Sequence, residues 1–331
     1  MTNPFQGANL RSTNRRNLLK LAVWTTATVS VSGCPSPKDT LQGQHGNPSG
    51  EALDVVATTG MIADMVRSIG GNAVRLTQLI PAGVDPHLYK PIRDDIVAIV
   101  HAKIVFYNGL KLEGRMSDVL GSRPKSDRLH VALSDALTSD DLIGEPMSDQ
   151  VDPHIWMDVS LWSKTVGLIE QSLAARLPTH QARFQQAAEK LREQLAQLDR
   201  YGQESIERIP KKQRVLISSH DAFQYFGRRY GLRVEGVQGI STASEAGLQR
   251  IPQLIEIVSE NSVPAVFKES SVAGKMIDAV IEGAASRSIK LQVGQELYSD
   301  ALGPAGSHAD NYLGMMKHNF DAVSQALSGQ P

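Results

Sequence analysis

The sequence predicts an α/β protein of two lobes with mainly parallel sheets, bridged by one long α-helix. Three observations carry that expectation. From Ala52 onward, short apolar runs alternate with amphipathic stretches, the order of βαβ units. Near the middle, residues 179–209 hold no proline and a single glycine, and apolar residues recur three or four apart over most of their length. Beyond Pro210 the strand–helix alternation resumes. A chain of 331 residues, 41% hydrophobic and 21% charged, has room for two α/β cores of ordinary size.

The N-terminus reads as an export segment. "STNRRNLLKLAVWTTATVSVSGC" places Arg15 and Arg16 before a mostly apolar stretch that closes on small residues and Cys34. This resembles a twin-arginine signal ending in a lipobox, with Asn17 and Lys20 leaving ordinary Sec export open. A short transmembrane anchor is the alternative, but the run is brief and rich in Thr and Ser. Processing at Cys34 would remove residues 1–33 and attach lipid to the cysteine. Arg11, Arg15, Arg16 and Lys20 go with the removed segment, so 30 basic residues face 35 acidic ones and the net charge moves from −1 to about −5. Residues 34–51 then form the lipidated cysteine and a flexible Pro/Gly/Ser-rich spacer. The expected location is the periplasm or cell envelope, on a membrane anchor. A sole cysteine also excludes an internal disulfide and any CxxC site.

The first lobe, residues 52–178, opens with "ALDVVATTGMIADMVRSIGG": a buried strand, a turn at Thr58–Gly60, and a helix ended by Gly70 and Gly71. "AVRLTQLIP" is a second strand, "RDDIVAIVHA" a helix and "KIVFYNGL" a third strand. The linking helix spans 179–210, capped by Thr179 and stopped by Pro210. About thirty residues at ~1.5 Å each give a rod of roughly 45 Å. The second lobe, 211–331, reads as strands "RVLISS", "LRVEGVQG", "PAVFKESS" and "IKLQVGQEL" alternating with helices, and a helix from His308 to Leu327 closes it.

A near-neutral charge with no basic block and few aromatic residues argues against nucleic acid as a partner. The histidines point elsewhere. The tetrapeptide VDPH occurs twice, at Val84–His87 and Val151–His154. Proline fixes φ and holds the residue before it extended, so each copy presents one imidazole rigidly. His220 stands where "RVLISS" runs out, and Asp300 follows "IKLQVGQEL". Ligands of open parallel sheets collect beyond the carboxyl ends of strands. Three imidazoles and a carboxylate suit zinc, and the carboxylate keeps manganese possible. Asp85 and Asp152 either orient the neighbouring histidines or simply start a turn before proline. If the rings are ligands, binding should weaken below about pH 6 as imidazoles of ordinary pKa take up protons.

"AGVDPHLYKP", "NGLKLEGRM", "VDPHIWMDV", "SSHDAFQYFG", "QGISTASEAG", "VFKESSV", "LYSDALG" and "YLGMMKHN" resemble, in the same order, the motifs of the zinc/manganese-binding lipoproteins of ABC importers, the TroA-like cluster A-I proteins. The resemblance covers the chain beyond the spacer. It implies a metal site in the cleft between the lobes, with His87, His154, His220 and Asp300 as ligands. It implies Zn2+ or Mn2+ as transported ligand, an ABC permease and ATPase as partners, and a monomer. Manganese-associated members often carry glutamate where His220 stands, which tilts the resemblance toward zinc. Zinc-specific members often carry a His-rich loop, and "ALTSDDLIGEPMSDQ" has acid but no histidine. Lys268 replaces a usually apolar residue, and beside it Glu269 either supports a ligand or makes a salt bridge. Two other functions remain: a surface adhesin, and a metal-dependent hydrolase. The hydrolase would need an open coordination position and a general base, and no HExxH motif is present.

Overall fold

The computed structural model describes residues 52–121, 127–144, 150–243, 247 and 249–328. The export segment, Cys34 and the spacer lie outside the described residues. Strand β1 (Leu53–Ala57) leads into α1 (Gly60–Gly70), then β2 (Val74–Gln78), α2 (Arg93–His101) and β3 (Ile104–Tyr107). A single-turn α3 (Ser117–Leu120) precedes β4 (Leu129–Ala132). The four strands pair in the order β2-β1-β3-β4, all parallel, with Val55 between Leu76 and Ile104. Central strands of such a sheet are covered on both faces, so "VVA" and "IVF" are continuous apolar runs and fully buried. At the edge, β2 alternates half-buried with exposed residues.

An element not anticipated from the sequence, α4 (Val159–Arg176), follows the second VDPH. Its signals are present: Asp158 caps it by accepting from the Ser160 and Leu161 amides, and Leu161, Trp162, Val166, Ile169 and Leu173 form its buried stripe. The long helix is α5 (Gln181–Glu207), 27 residues and about 40 Å at ~1.5 Å per residue. It starts later than expected. Pro178 opens a 3-10 turn through His180, so His180 and not Thr179 stands at the cap position. The rod is not isolated either, since α4 packs along it.

Beyond α5 come β5 (Val215–Ser218), α6 (Gln224–Tyr230), β6 (Arg233–Gly236) and α7 (Arg250–Asn261). Strand β7 (Ala265–Val266), α8 (Lys275–Ser286), β8 (Gln292–Val293) and α9 (Tyr312–Leu327) complete the chain. Strands β5 and β6 pair in parallel, as do β7 and β8, and the Phe267 N–H to Ile217 C=O bond of 2.9 Å ties the two ribbons together. Both later strands are shorter than expected. Past β7, Ser270 N–H and Lys268 C=O continue the ladder to Leu297 as scattered bonds. The result is two α/β lobes with parallel sheets and a long helix between them.

One continuous core joins both sheets, with Trp156, Trp162, Phe184, Phe226 and Phe320 among its fully buried rings. Asp199 on α5 accepts from Arg229 Nε at 2.9 Å and from the Tyr230 hydroxyl at 3.1 Å, fastening α6 to the rod. The rod's one glycine has a packing reason. A Cβ at Gly202 would stand 2.4 Å from the Phe320 ring, so Gly202 is where α9 approaches α5 closely. Gly202→Ala should therefore cost about 1–3 kcal/mol through overpacking, despite alanine's better helix propensity. Chemical denaturation that finds the variant more stable would contradict this contact.

Candidate metal centre

Four side chains from distant parts of the chain meet beyond the ends of the strands. His87 lies within the loop between β2 and α2, His154 closes the second VDPH, His220 follows β5, and Asp300 lies beyond β8. One donor atom from each falls within 4.8 Å of all the others. His154, His220 and Asp300 are 0–1% exposed, while His87 is 7% exposed.

The spacing fits a small ion. His87 Nε2 lies 3.2 Å from His154 Nε2, His154 Nε2 lies 3.4 Å from Asp300 Oδ1, and His220 Nε2 lies 3.2 Å from Asp300 Oδ2. A tetrahedron with zinc-to-nitrogen spokes of ~2.0–2.1 Å has edges of about 3.3 Å. Among the described residues, His220 Nε2 and Asp300 Oδ1 are buried with no hydrogen-bond partner. Buried polar atoms are almost always satisfied, so two orphans aimed at one point call for a ligand.

The two brackets begin alike and end differently. In each, the aspartate accepts the backbone N–H of its histidine, Asp85 from His87 at 2.8 Å and Asp152 from His154 at 2.9 Å. Asp152 Oδ1 also holds His154 Nδ1 at 2.7 Å, which turns Nε2 toward the cluster. Asp85 leaves the His87 ring alone and gives its second oxygen to the Thr242 hydroxyl at 2.5 Å. Glu269 does for His220 what Asp152 does for His154, accepting its backbone N–H at 2.9 Å and its Nδ1 at 2.5 Å. Lys268, beside it, pairs instead with Asp278 at 2.6 Å.

Residues that the sequence did not single out hold the second bracket. Asn108 Nδ2 donates to the Pro153 carbonyl at 2.9 Å, and the Tyr225 hydroxyl donates to the Asp152 carbonyl at 2.9 Å. Trp156 Nε1 donates to the Ser299 carbonyl at 2.8 Å, which ties the His154 segment to the one bearing Asp300. Asn108 is placed by a left-handed turn, Gly109-Leu110-Lys111, with φ of 85°, 53° and 63°. Only glycine fits its first position, where a Cβ would meet Ser134 Oγ at 2.3 Å.

Charge follows this geometry. Burial alone would lower the pKa of His154, but Asp152 and Asp300 outweigh it and hold the ring up at about 9. His220 likewise stays well above the ordinary imidazole value, because Glu269 and Asp300 overcome its burial. For His87 burial wins, with Asp300 opposing, and the pKa falls to about 3. Against its burial, the His220 and His154 rings keep Asp300 well below the usual carboxylate range.

A family profile described as zinc-uptake complex component A, periplasmic, matches residues 55–326. The chain belongs to this family. Similar proteins include the manganese-binding lipoprotein MntA of Bacillus subtilis, 39% identical over 301 residues, 91% of this chain and 96% of that one. The zinc-binding protein TroA of Treponema pallidum is 39% identical over 274 residues, 83% of this chain and 88% of its own. The solved structure of that periplasmic protein superposes with a TM-score of 0.81, covering 84% of this chain and all of the other. The two-lobe architecture is thus shared with that structure.

Proposed function

We propose that this protein captures a divalent transition-metal ion, zinc or manganese, outside the cytoplasmic membrane and hands it to an ABC-type importer. The observation that carries the reading is the convergence of four buried donor groups, one atom of each within 4.8 Å of the others, drawn from both lobes. His87, His154, His220 and Asp300 are the ligands. Asp152 and Glu269 fix two of the rings, and Asp85 fixes the loop of the third. Three imidazoles favour zinc, and the carboxylate admits manganese.

The protein is a binding component and not an enzyme. A hydrolytic zinc site keeps one coordination position for water, and here four protein donors fill the tetrahedron. Export by a twin-arginine or Sec signal removes residues 1–33, and lipid on Cys34 anchors the monomer through the spacer 34–51. The lobes, 52–178 and 211–331, then face the permease and ATPase complex with the helix 179–210 between them. No helix among the described residues is long and apolar enough to cross a membrane.

Calorimetric titration of metal-free protein with zinc, and in competition with manganese, tests this. One ion per chain is expected, with thermal stabilisation of about 2.7 kcal/mol when free ion stands at a hundred times Kd. A protein that binds neither ion defeats the reading.

A further inference from the structure

The three imidazoles are not held equally. His154 and His220 each have a carboxylate on Nδ1 and are fully buried. Among the described residues no carboxylate bonds the His87 ring on Nδ1, and His87 is the most exposed of the four. It also lines a cavity of about 250 Å³ together with Leu110, Lys111, Val151, Ile240 and Ser241. The exposed edge of the cluster is therefore the His87 edge. An ion bound by all four groups reaches solvent by the shortest change if His87 swings away.

What holds His87 in place is its loop, and that loop is fastened from the other lobe. Asp85 Oδ1 accepts the His87 N–H, and Asp85 Oδ2 accepts the Thr242 hydroxyl from a segment 157 residues later in the chain. The second bracket is tied by Asn108, Tyr225 and Trp156 as well as by its own aspartate. Apart from the aspartate's own bond to His87 and the contact of His87 with His154 inside the cluster, the one side-chain bond described for the first bracket is that of Thr242.

We propose that Thr242 is a positioning residue that latches the first bracket across the cleft, and that it sets how fast the ion leaves past His87 into the adjoining cavity. The inference rests on the four residues being the ion's ligands. Thr242 touches no donor atom of the cluster, so its effect falls on release and leaves ion preference unchanged. Related binding sites differ mostly in their off-rates, which is where a latch acts.

The test is stopped-flow transfer of zinc from the loaded protein to an excess of chelator. A hydrogen bond to a charged acceptor contributes enough that Thr242→Val, isosteric but without the hydroxyl, should release zinc about tenfold faster or more. Thr242→Ser keeps the donor and should release within about twofold of the unaltered protein. Asp85→Ala removes the acceptor, and adding Thr242→Val to it should change the rate little further, because both act through one bond. The preference for zinc over manganese should hold throughout. Release from Thr242→Val at the unaltered rate overturns the latch, as does a serine variant as fast as the valine one. An unaltered protein that binds no zinc would defeat the ion-site reading first, a result distinguishable from either of these.

Discussion

His154→Ala should lower zinc affinity by at least a hundredfold, the larger of the expected mutational effects. A four-ligand zinc site is worth about 10–16 kcal/mol, so one ligand's share is roughly 2.5–4 kcal/mol. His154 has more than its share to lose. It is the ring that contacts both His87 and Asp300 within the cluster, and its Nδ1 satisfies the fully buried Asp152. Alanine would leave Asp152 without its side-chain partner and Asp300 with one ring, that of His220, and breaking a buried pair by removing one partner costs about 3–5 kcal/mol. The metal-free variant should therefore also melt lower, and zinc should restore little of the loss. His308→Ala is the control, because His308 bonds only to His318 in the described contacts, away from the cluster. Competition against a chromophoric chelator reads both affinities. Equal binding by H154A and the unaltered protein would remove His154 from the site.

The first half of the fold was legible because its signals are local. Val55 to Ala57 and Ile104 to Phe106 are apolar runs of strand length, and Gly70 with Gly71 ends α1 where a helix stop was expected. The later strands misled by length. "PAVFKESS" has the composition of a full strand, but two residues pair regularly before the chain turns to bring Glu269 beneath His220. Helix α4 carries both local signals too, Asp158 as its cap and apolar residues at helical spacing, in a segment where no element was expected.

The site was legible as residue types and not as roles. Twin VDPH segments forecast two presented imidazoles, and proline with the Asp-to-amide bond delivers that locally in both copies. Which aspartate then reaches its ring is decided by tertiary neighbours. Tyr225 and Asn108 press the second copy into the core, so Asp152 has only His154 to turn to. The first copy faces the opposite lobe, and Asp85 finds Thr242. No tetrapeptide encodes that difference. The same holds for Glu269, which meets His220 from 49 residues away.

Zinc binding near neutral pH should expel close to two protons, one from His154 and one from His220. Each of these rings lies between two carboxylates, which overcome burial and keep His154 protonated up to about pH 9 and His220 well above its ordinary value. His87, pushed down to about 3, has no proton to give. In the metal-free protein two protons thus stand in for the ion's two positive charges beside the buried Asp300. Each displaced proton makes affinity rise tenfold per pH unit, so two give about a hundredfold per unit, flattening as pH nears 9. Free imidazoles would instead place the loss below about pH 6, and the carboxylates move that window upward. Stability of the metal-free protein runs the other way. A raised histidine pKa stabilises the fold fully below about 6.5, and that contribution disappears as pH climbs through about 9. Raising pH from 7 to 9 should therefore lower the melting temperature without zinc while tightening zinc binding. Calorimetry in buffers of different ionisation enthalpy counts the protons directly. A count near zero at pH 7 would mean that the rings are already neutral in the metal-free protein.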